Sequence, residues 1–270
     1  MTRVIVSSGF DQLDTNCFRF LEEAAKLGEV HVLLWADQAI RTLAGREPRF
    51  PQAERIYVIG AVRHVSGVQL SGPTVTPDTL PPLPRLRPDF WAIAERDVTP
   101  AKQAFCRTQG MALRVINAAE LVGLPEPRAF PPSGRKKVVV TGCFDLFHSG
   151  HVRFFEECAE RGDLYVVVGN DDNIRQLKGP GHPLFTAEAR RYMAGSIRHV
   201  TRALIASGSG WMDAAAEVAE IKPDVYVVNE DGDRVEKRAF CREHGIEYVV
   251  LKRLPKPGLV RRTSTDLRGF

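Results

Sequence analysis

The chain has 270 residues, 44% hydrophobic and 26% charged, with 37 Lys and Arg against 33 Asp and Glu for a net charge of +4. That length suits two ordinary domains of soluble globular composition, and so small a charge excess excludes bulk nucleic-acid affinity in favour of a local anionic ligand. No apolar run approaches the roughly 20 residues of a membrane span, and the five scattered cysteines lack C-x-x-C pairing, which predicts reduced thiols, a cytoplasmic protein and no zinc site.

In chain order, MTRVIVSSGFD begins like a strand and lacks a signal-peptide pattern. A Pro-rich loop runs from Pro73 to Pro88, and Leu124–Arg135 reads as a linker. Beyond it, strands are predicted over Lys137–Thr141, Leu164–Gly169, Val200–Ile205, Asp224–Val228 and Glu247–Leu251. Helices are predicted near Val152–Arg161, Ala187–Ser196, Met212–Ile221 and Arg234–His244. Short Val-rich strands alternating with helices predict an α/β architecture with a parallel sheet covered on both faces, in a doubly wound, Rossmann-like topology.

The same pattern occurs earlier, at an offset of about 135 residues. Phe10-Asp11 matches Phe144-Asp145, and Phe18 to Glu23 matches Val152 to Glu157. Arg55 matches Arg190, Arg63-His64 matches Arg198-His199, and Ala104 to Arg107 matches Ala239 to Arg242. The chain therefore reads as two tandem Rossmann-like domains, residues 1–128 and 129–270.

The repeat separates what the fold needs from what chemistry needs. Gly142 is read as having its counterpart in Gly9. His148-Ser149-Gly150-His151, at the turn between the first strand and helix of the second copy, aligns with Asp14-Thr15-Asn16-Cys17. Both imidazoles and the glycine are absent from the first copy. A strand that turns on Gly and opens a helix is a natural anion site, and two imidazoles on one face there fit a polyphosphate. Lys178 falls opposite Leu43 or Ala44, and the terminal run from Arg261 to Arg268 has no counterpart after Ile116. The second copy thus carries a distinct set: His148, His151, Lys178, Arg262, Thr263, Ser264 and Thr265.

These residues resemble the nucleotidyltransferase superfamily with an H-x-G-H motif, and most closely its cytidylyltransferases. The resemblance rests on G-x-F-D-x-x-H-x-G-H (Gly142 to His151), L-K-G (Leu177 to Gly179), T-x-E-x-R (Thr186 to Arg190) and S-I-R-H-V (Ser196 to Val200). A tandem pair with one degenerate copy resembles the ethanolamine-phosphate enzyme, with the degenerate copy placed first here instead of second. The terminal GLVRRTSTDLRGF lacks the Gly-Ile of the cytidylyltransferase pattern and is also close to that of related adenylyltransferases.

The resemblance implies transfer of CMP from CTP to a small phosphorylated or phosphonate acceptor with release of pyrophosphate. An adenylyltransferase and a non-catalytic nucleotide-binding regulator are the alternatives. His148, His151, Lys178 and Arg262 would be catalytic. Gly142, Cys143, Phe144, Gly150, Thr263, Ser264 and Thr265 would bind the nucleotide, the last three opening a final helix. Asp145, Trp211 and Glu230 would face the acceptor. Mg²⁺ is expected on the nucleotide phosphates, with no metal site built by the protein. A monomeric pseudo-dimer or a homodimer is expected, the first copy serving as a packing partner.

Overall fold

Runs of β-branched residues become strands here because both faces of each sheet are covered. In the computed structural model, which describes residues 1–84, 86–264 and 267, Val138, Val139 and Val140 are fully buried. The next strand of the second unit is buried at all six positions. Parallel strands covered on both faces give continuous apolar runs, not alternation.

The chain forms two compact units, Met1–Gly123 and Leu124–Phe270. The first contains β1 (Arg3–Ser8), α1 (Thr15–Ala25), β2 (Glu29–Leu34), α2 (Asp37–Ala44), α3 (Gln52–Ala61), β3 (Val65–Leu70), β4 (Phe90–Ala94), α4 (Pro100–Gln109) and β5 (Ala112–Ile116). The second contains β6 (Lys137–Gly142), α5 (Ser149–Ala159), β7 (Asp163–Val168), α6 (Asp171–Lys178), α7 (Ala187–Gly195), β8 (Val200–Ile205), α8 (Ala215–Ile221), β9 (Val225–Asn229), α9 (Val235–Glu243) and β10 (Glu247–Leu251).

Each unit has one five-stranded sheet, ordered β3-β2-β1-β4-β5 and β10-β9-β6-β7-β8, with every pairing parallel. Read from its other edge, the second order equals the first. The chain moves outward on one side of β6, then returns to build the other side with β9 and β10. This reversal opens a crevice beyond the carboxyl end of β6, where such sheets hold ligands.

A buried arginine ties the loops together in each unit. Arg190, 1% exposed, donates through Nη1 to Cys143 O (2.7 Å), through Nη2 to Gly169 O (2.8 Å) and through Nε to Phe185 O (2.9 Å). Arg55 does the same for Gly9 O, Trp35 O and Phe50 O. These bonds correct the sequence reading of one glycine. Gly9 corresponds to Cys143, so Ser8 stands where the second unit has Gly142.

Other departures are local. Helix α6 was not anticipated. Its N-cap Asn170 accepts from Asn173 N–H, and two acidic residues precede two basic ones along it, which suits the helix dipole. Helix α5 starts three residues earlier than expected because His148 caps it. The Met212 end of the next predicted helix is a separate 3₁₀ turn, Gly210–Met212. The expected linker is anchored on the second unit: Phe130 N–H donates to Thr201 O (2.9 Å), and Ser133 Oγ–H donates to the Asp163 carboxylate (2.7 Å). Among the described residues, no helix is long and apolar enough to cross a membrane.

Candidate functional site

The start of α5 is built around its two histidines. His148 is the N-cap, in extended conformation, and its Nδ1 accepts from Gly150 N–H at 3.0 Å. An accepting Nδ1 in a neutral ring assigns the proton to Nε2. Gly150 is required by this fold-back, because a Cβ there would lie 2.8 Å from His148 Cε1 and 2.9 Å from its Nδ1. The His151 ring stacks on His148 with centroids 4.0 Å apart. Phe144 and Phe147 pack against His151 from 5.5 and 5.4 Å. Among the described residues, His151 Nδ1 is buried without a hydrogen-bond partner.

The electrostatics follow from this enclosure. Burial holds His151 well below the ordinary imidazole range, and the charges of Arg253 and Lys178 push the same way. His151 is therefore neutral near pH 7 while two cations project their field onto it. A bound anion would be attracted to those cations and would restore proton affinity to the ring.

The depressed value has a stability consequence. The unfolded chain takes up a proton near pH 6.5 that folded His151 resists, so its contribution is present above that pH and is lost as pH falls below it. His64 and His199 are also depressed by burial, so the informative quantity is a difference. From pH 7.5 to 5.5, the wild type is expected to lose more Tm than His151→Gln; equal losses would contradict the assignment.

Around this pair the structure gathers most of the expected nucleotide-binding residues. Gly142 ends β6, and a Cβ there would lie 2.9 Å from Phe144 Cζ. Phe144 has φ +53°, and its ring folds back over the glycine. The Cys143 thiol is raised by burial, against the opposing charges of Lys178 and Arg190. Lys178 is the last residue of α6 and is exposed. The terminal segment returns to α5: a Cβ on Gly150 would lie 3.5 Å from Arg262 O, and Ser264 Oγ–H donates to Asp145 O at 2.6 Å. Thr263 lies between these contacts, and Thr265 lies outside the described residues. Thr263 is irregular and Ser264 lies in a turn; the helix expected to follow them falls outside the described residues.

The residues expected to face the acceptor are not brought together in the same way. The Asp145 carboxylate, 4% exposed, accepts from Leu184 N–H (2.8 Å) and Phe185 N–H (3.1 Å). Asp11 makes the equivalent clasp to Arg49 and Phe50 N–H, so this pair serves the loop. Trp211 is 42% exposed, and the Arg234 guanidinium sits 4.4 Å from its ring centroid, so the chain's own cation occupies one face. Glu230 is exposed in a 3₁₀ turn after β9. Among the described residues, no group of three His, Cys, Asp or Glu could hold a metal ion.

Sequence reasoning missed Arg253 and Lys237. Arg253 acts on His151 electrostatically, donates to Arg262 O at 3.4 Å and pairs with Asp231. It has no basic counterpart at the matching position of the first copy, so the repeat comparison could have found it. Lys237, 8% exposed, donates from Nζ to Thr141 Oγ1 at 3.1 Å, beside the Tyr226 ring. The repeat comparison discounts it because Lys102 stands at the matching position of the first copy, and Lys102 is buried as well.

A doubly wound parallel sheet with a stacked histidine pair capping the helix after its first strand, and cations around it, defines a domain of the nucleotidyltransferase class. The cytidylyltransferase-like family pattern matches residues 139–253. The chain is 35% identical over 136 residues to the FAD synthase of Aciduliprofundum boonei, covering 49% of this chain and 84% of that protein. It is 32% identical over 174 residues to the bifunctional protein HldE of Azotobacter vinelandii, covering 61% of this chain and 33% of that protein. A crystal structure of a lipopolysaccharide core biosynthesis protein from Thermoplasma volcanium aligns at 27% identity over 44% of this chain and 98% of that one, with a TM-score of 0.39. The chain belongs to the cytidylyltransferase-like family. It spans about a third of the length of its HldE relatives.

Proposed function

We propose that the second unit transfers a nucleotidyl group, adenylyl in preference to cytidylyl, from a nucleoside triphosphate to a phosphate-bearing acceptor. The observation that carries this reading is the His148–His151 stack at the start of α5, in which His151 is enclosed and neutral with Lys178 and Arg253 acting on it. An acceptor phosphate oxygen attacks the α-phosphorus, the bond to the β-phosphate bridging oxygen breaks, and pyrophosphate leaves. The attacking oxygen is already anionic, so the step needs no general base. Catalysis rests on alignment and on stabilising charge at the transferring phosphorus.

His148 Nε2–H and the His151 ring would donate to phosphate oxygens of the nucleotide. The α5 N-terminus adds its free N–H groups. Lys178, Arg253 and Arg262 neutralise the leaving pyrophosphate. Thr263, Ser264 and Thr265 are proposed to approach its outer phosphates, with Trp211 and Glu230 on the acceptor side. Mg²⁺ enters as part of the substrate, on phosphate oxygens: the residues around His151 offer nitrogen donors, not an oxygen cage.

The adenylyl preference is supported by the FAD synthase relative, whose named product carries an adenylyl group, and by the S-T-x-x-R ending. CTP is the second reading, supported by the run from Gly142 to His151. Pyrophosphate release with each of four nucleotides, against phosphoethanolamine, glycerol phosphate, a sugar phosphate, FMN and a phosphonate, tests both. Turnover with ATP is expected. Turnover only with CTP would reverse the nucleotide, and none with any pair would favour a nucleotide-binding regulator.

A further inference from the structure

A large cleft lies in the unit without the H-x-G-H histidines. It holds about 1040 Å³ at the carboxyl ends of β1 and β4 and is lined entirely by residues of the first unit. That is at the upper end of small-molecule sites. We propose that this cleft is a second ligand site, taking a nucleoside (base and sugar without phosphates).

Two features set the ligand's chemistry. The first is charge. Where His148 caps α5, Asp14 caps α1, accepting from Cys17 N–H at 2.9 Å through Oδ1. A carboxylate at a helix N-terminus occupies the place an incoming phosphate would need and repels it. Three cations line the cleft, Arg46, Arg96 and Lys102, against four carboxylates, Asp11, Asp14, Glu95 and Asp97; Arg46 pairs with Asp11 at 2.6 Å, and Lys102 Nζ donates to Asp97 O at 2.7 Å. The cleft therefore disfavours polyanions.

The second feature is an aromatic floor. Trp35 follows β2, at the position of Gly169 in the other unit, and its Nε1–H donates to Ser7 Oγ at 2.9 Å. The partly exposed indole is thus pinned beside the end of β1, close to Ile40. Trp91 lines the same cleft, 1% exposed, and its Nε1 has no hydrogen-bond partner among the described residues. A flat heterocycle can stack on Trp35. Its ring atoms offer acceptors to such a donor, and its sugar hydroxyls can donate to the free oxygen of Asp14 and to Glu95. Base stacking on a fixed aromatic ring contributes about 1–3 kcal/mol, or roughly five- to 150-fold in affinity.

The test reads binding to the full chain and does not depend on the second unit being a transferase. Adenosine and cytidine are titrated by saturation-transfer NMR. Binding by at least one is expected, weakened at least about tenfold by Trp35→Ala. The same loss is expected for Leu43→Arg, a rim substitution at a residue 42% exposed, where folding is not at stake. Val250→Arg, at a residue of the other unit 38% exposed and outside both sites, is expected to change it less than about twofold. Absence of nucleoside binding at millimolar concentration would overturn the proposal. So would binding indifferent to Leu43→Arg, or binding lost equally in Val250→Arg.

Discussion

His151→Ala is expected to lower the nucleotidyl transfer rate at least about a hundredfold, with His148→Ala close behind. Removing one preorganised donor from a site where charge develops typically costs about 2.7–4 kcal/mol of transition-state stabilisation. Two features place His151 in that range. Its ring is already positioned by stacking on His148 and by packing against Phe144 and Phe147. Its Nδ1 is buried without a partner among the described residues, so the chain itself does not use all of the ring's hydrogen-bonding capacity. The loss should fall mainly on kcat, because the donor matters most as charge grows on the transferring phosphorus, and KM for the acceptor should move little. Steady-state kinetics with both substrates saturating, alongside a circular dichroism spectrum unchanged from wild type, checks this. Turnover within a few-fold of wild type in either variant would remove both histidines from the mechanism.

Arg190→Ala is expected to have the largest effect on stability. The side chain is almost completely buried and satisfies carbonyls from three separate loops while paired to Asp171. Its loss strands those acceptors and leaves Asp171 without its cation. Leaving a buried acceptor unpaired costs about 1–3 kcal/mol, so losing the partner of three carbonyls costs about 3 kcal/mol or more, a large part of the 5–15 kcal/mol that holds an ordinary domain. For a unit of this size, that corresponds to a Tm lower by about 10 °C or more. Arg190→Lys should recover only part of it, because one ammonium cannot reproduce the guanidinium fork. Thermal unfolding of the full chain measures the shift, and a drop below about 2 °C would contradict the account.

The two variants test different readings of the same turn. Arg190 has a twin in Arg55, with matching partners in a unit that lacks the histidines, so the arginine serves the fold. His148 and His151 have no twin. Expected results are thus opposite in kind: Arg190→Ala melts early, whereas His151→Ala folds and fails to turn over.

Much of this was legible from residue order alone. Continuous Val-rich runs predicted strands buried on both faces, and the parallel sheets follow. The H-x-G-H run announced its own geometry, because the glycine, the cap and the helix start all lie within four residues. Less was legible where spacing was ambiguous by one residue. Gly142 was matched with Gly9, and only the carbonyls chosen by Arg55 and Arg190 revealed the correct register. Asp145 looked like a ligand-facing acid, but its partners, Leu184 and Phe185, come from a loop about 40 residues away, and no local pattern encodes that clasp. Arg253 was overlooked because its sequence neighbours are an unremarkable basic stretch, and its importance comes from the electrostatic field it projects onto His151.

The sequence by itself determined the α/β class, the parallel strands and the presence of the H-x-G-H histidines in one unit only. Each depends on local pattern: buried runs, caps and turns, and presence or absence at matched positions. Only the tertiary structure decided which histidine nitrogen is engaged, which acids serve loops and where an open cleft persists in the first unit. Those depend on contacts between residues far apart in the chain. Burial strips water from such groups, so the partners that folding brings to them fix their charge and hydrogen bonding.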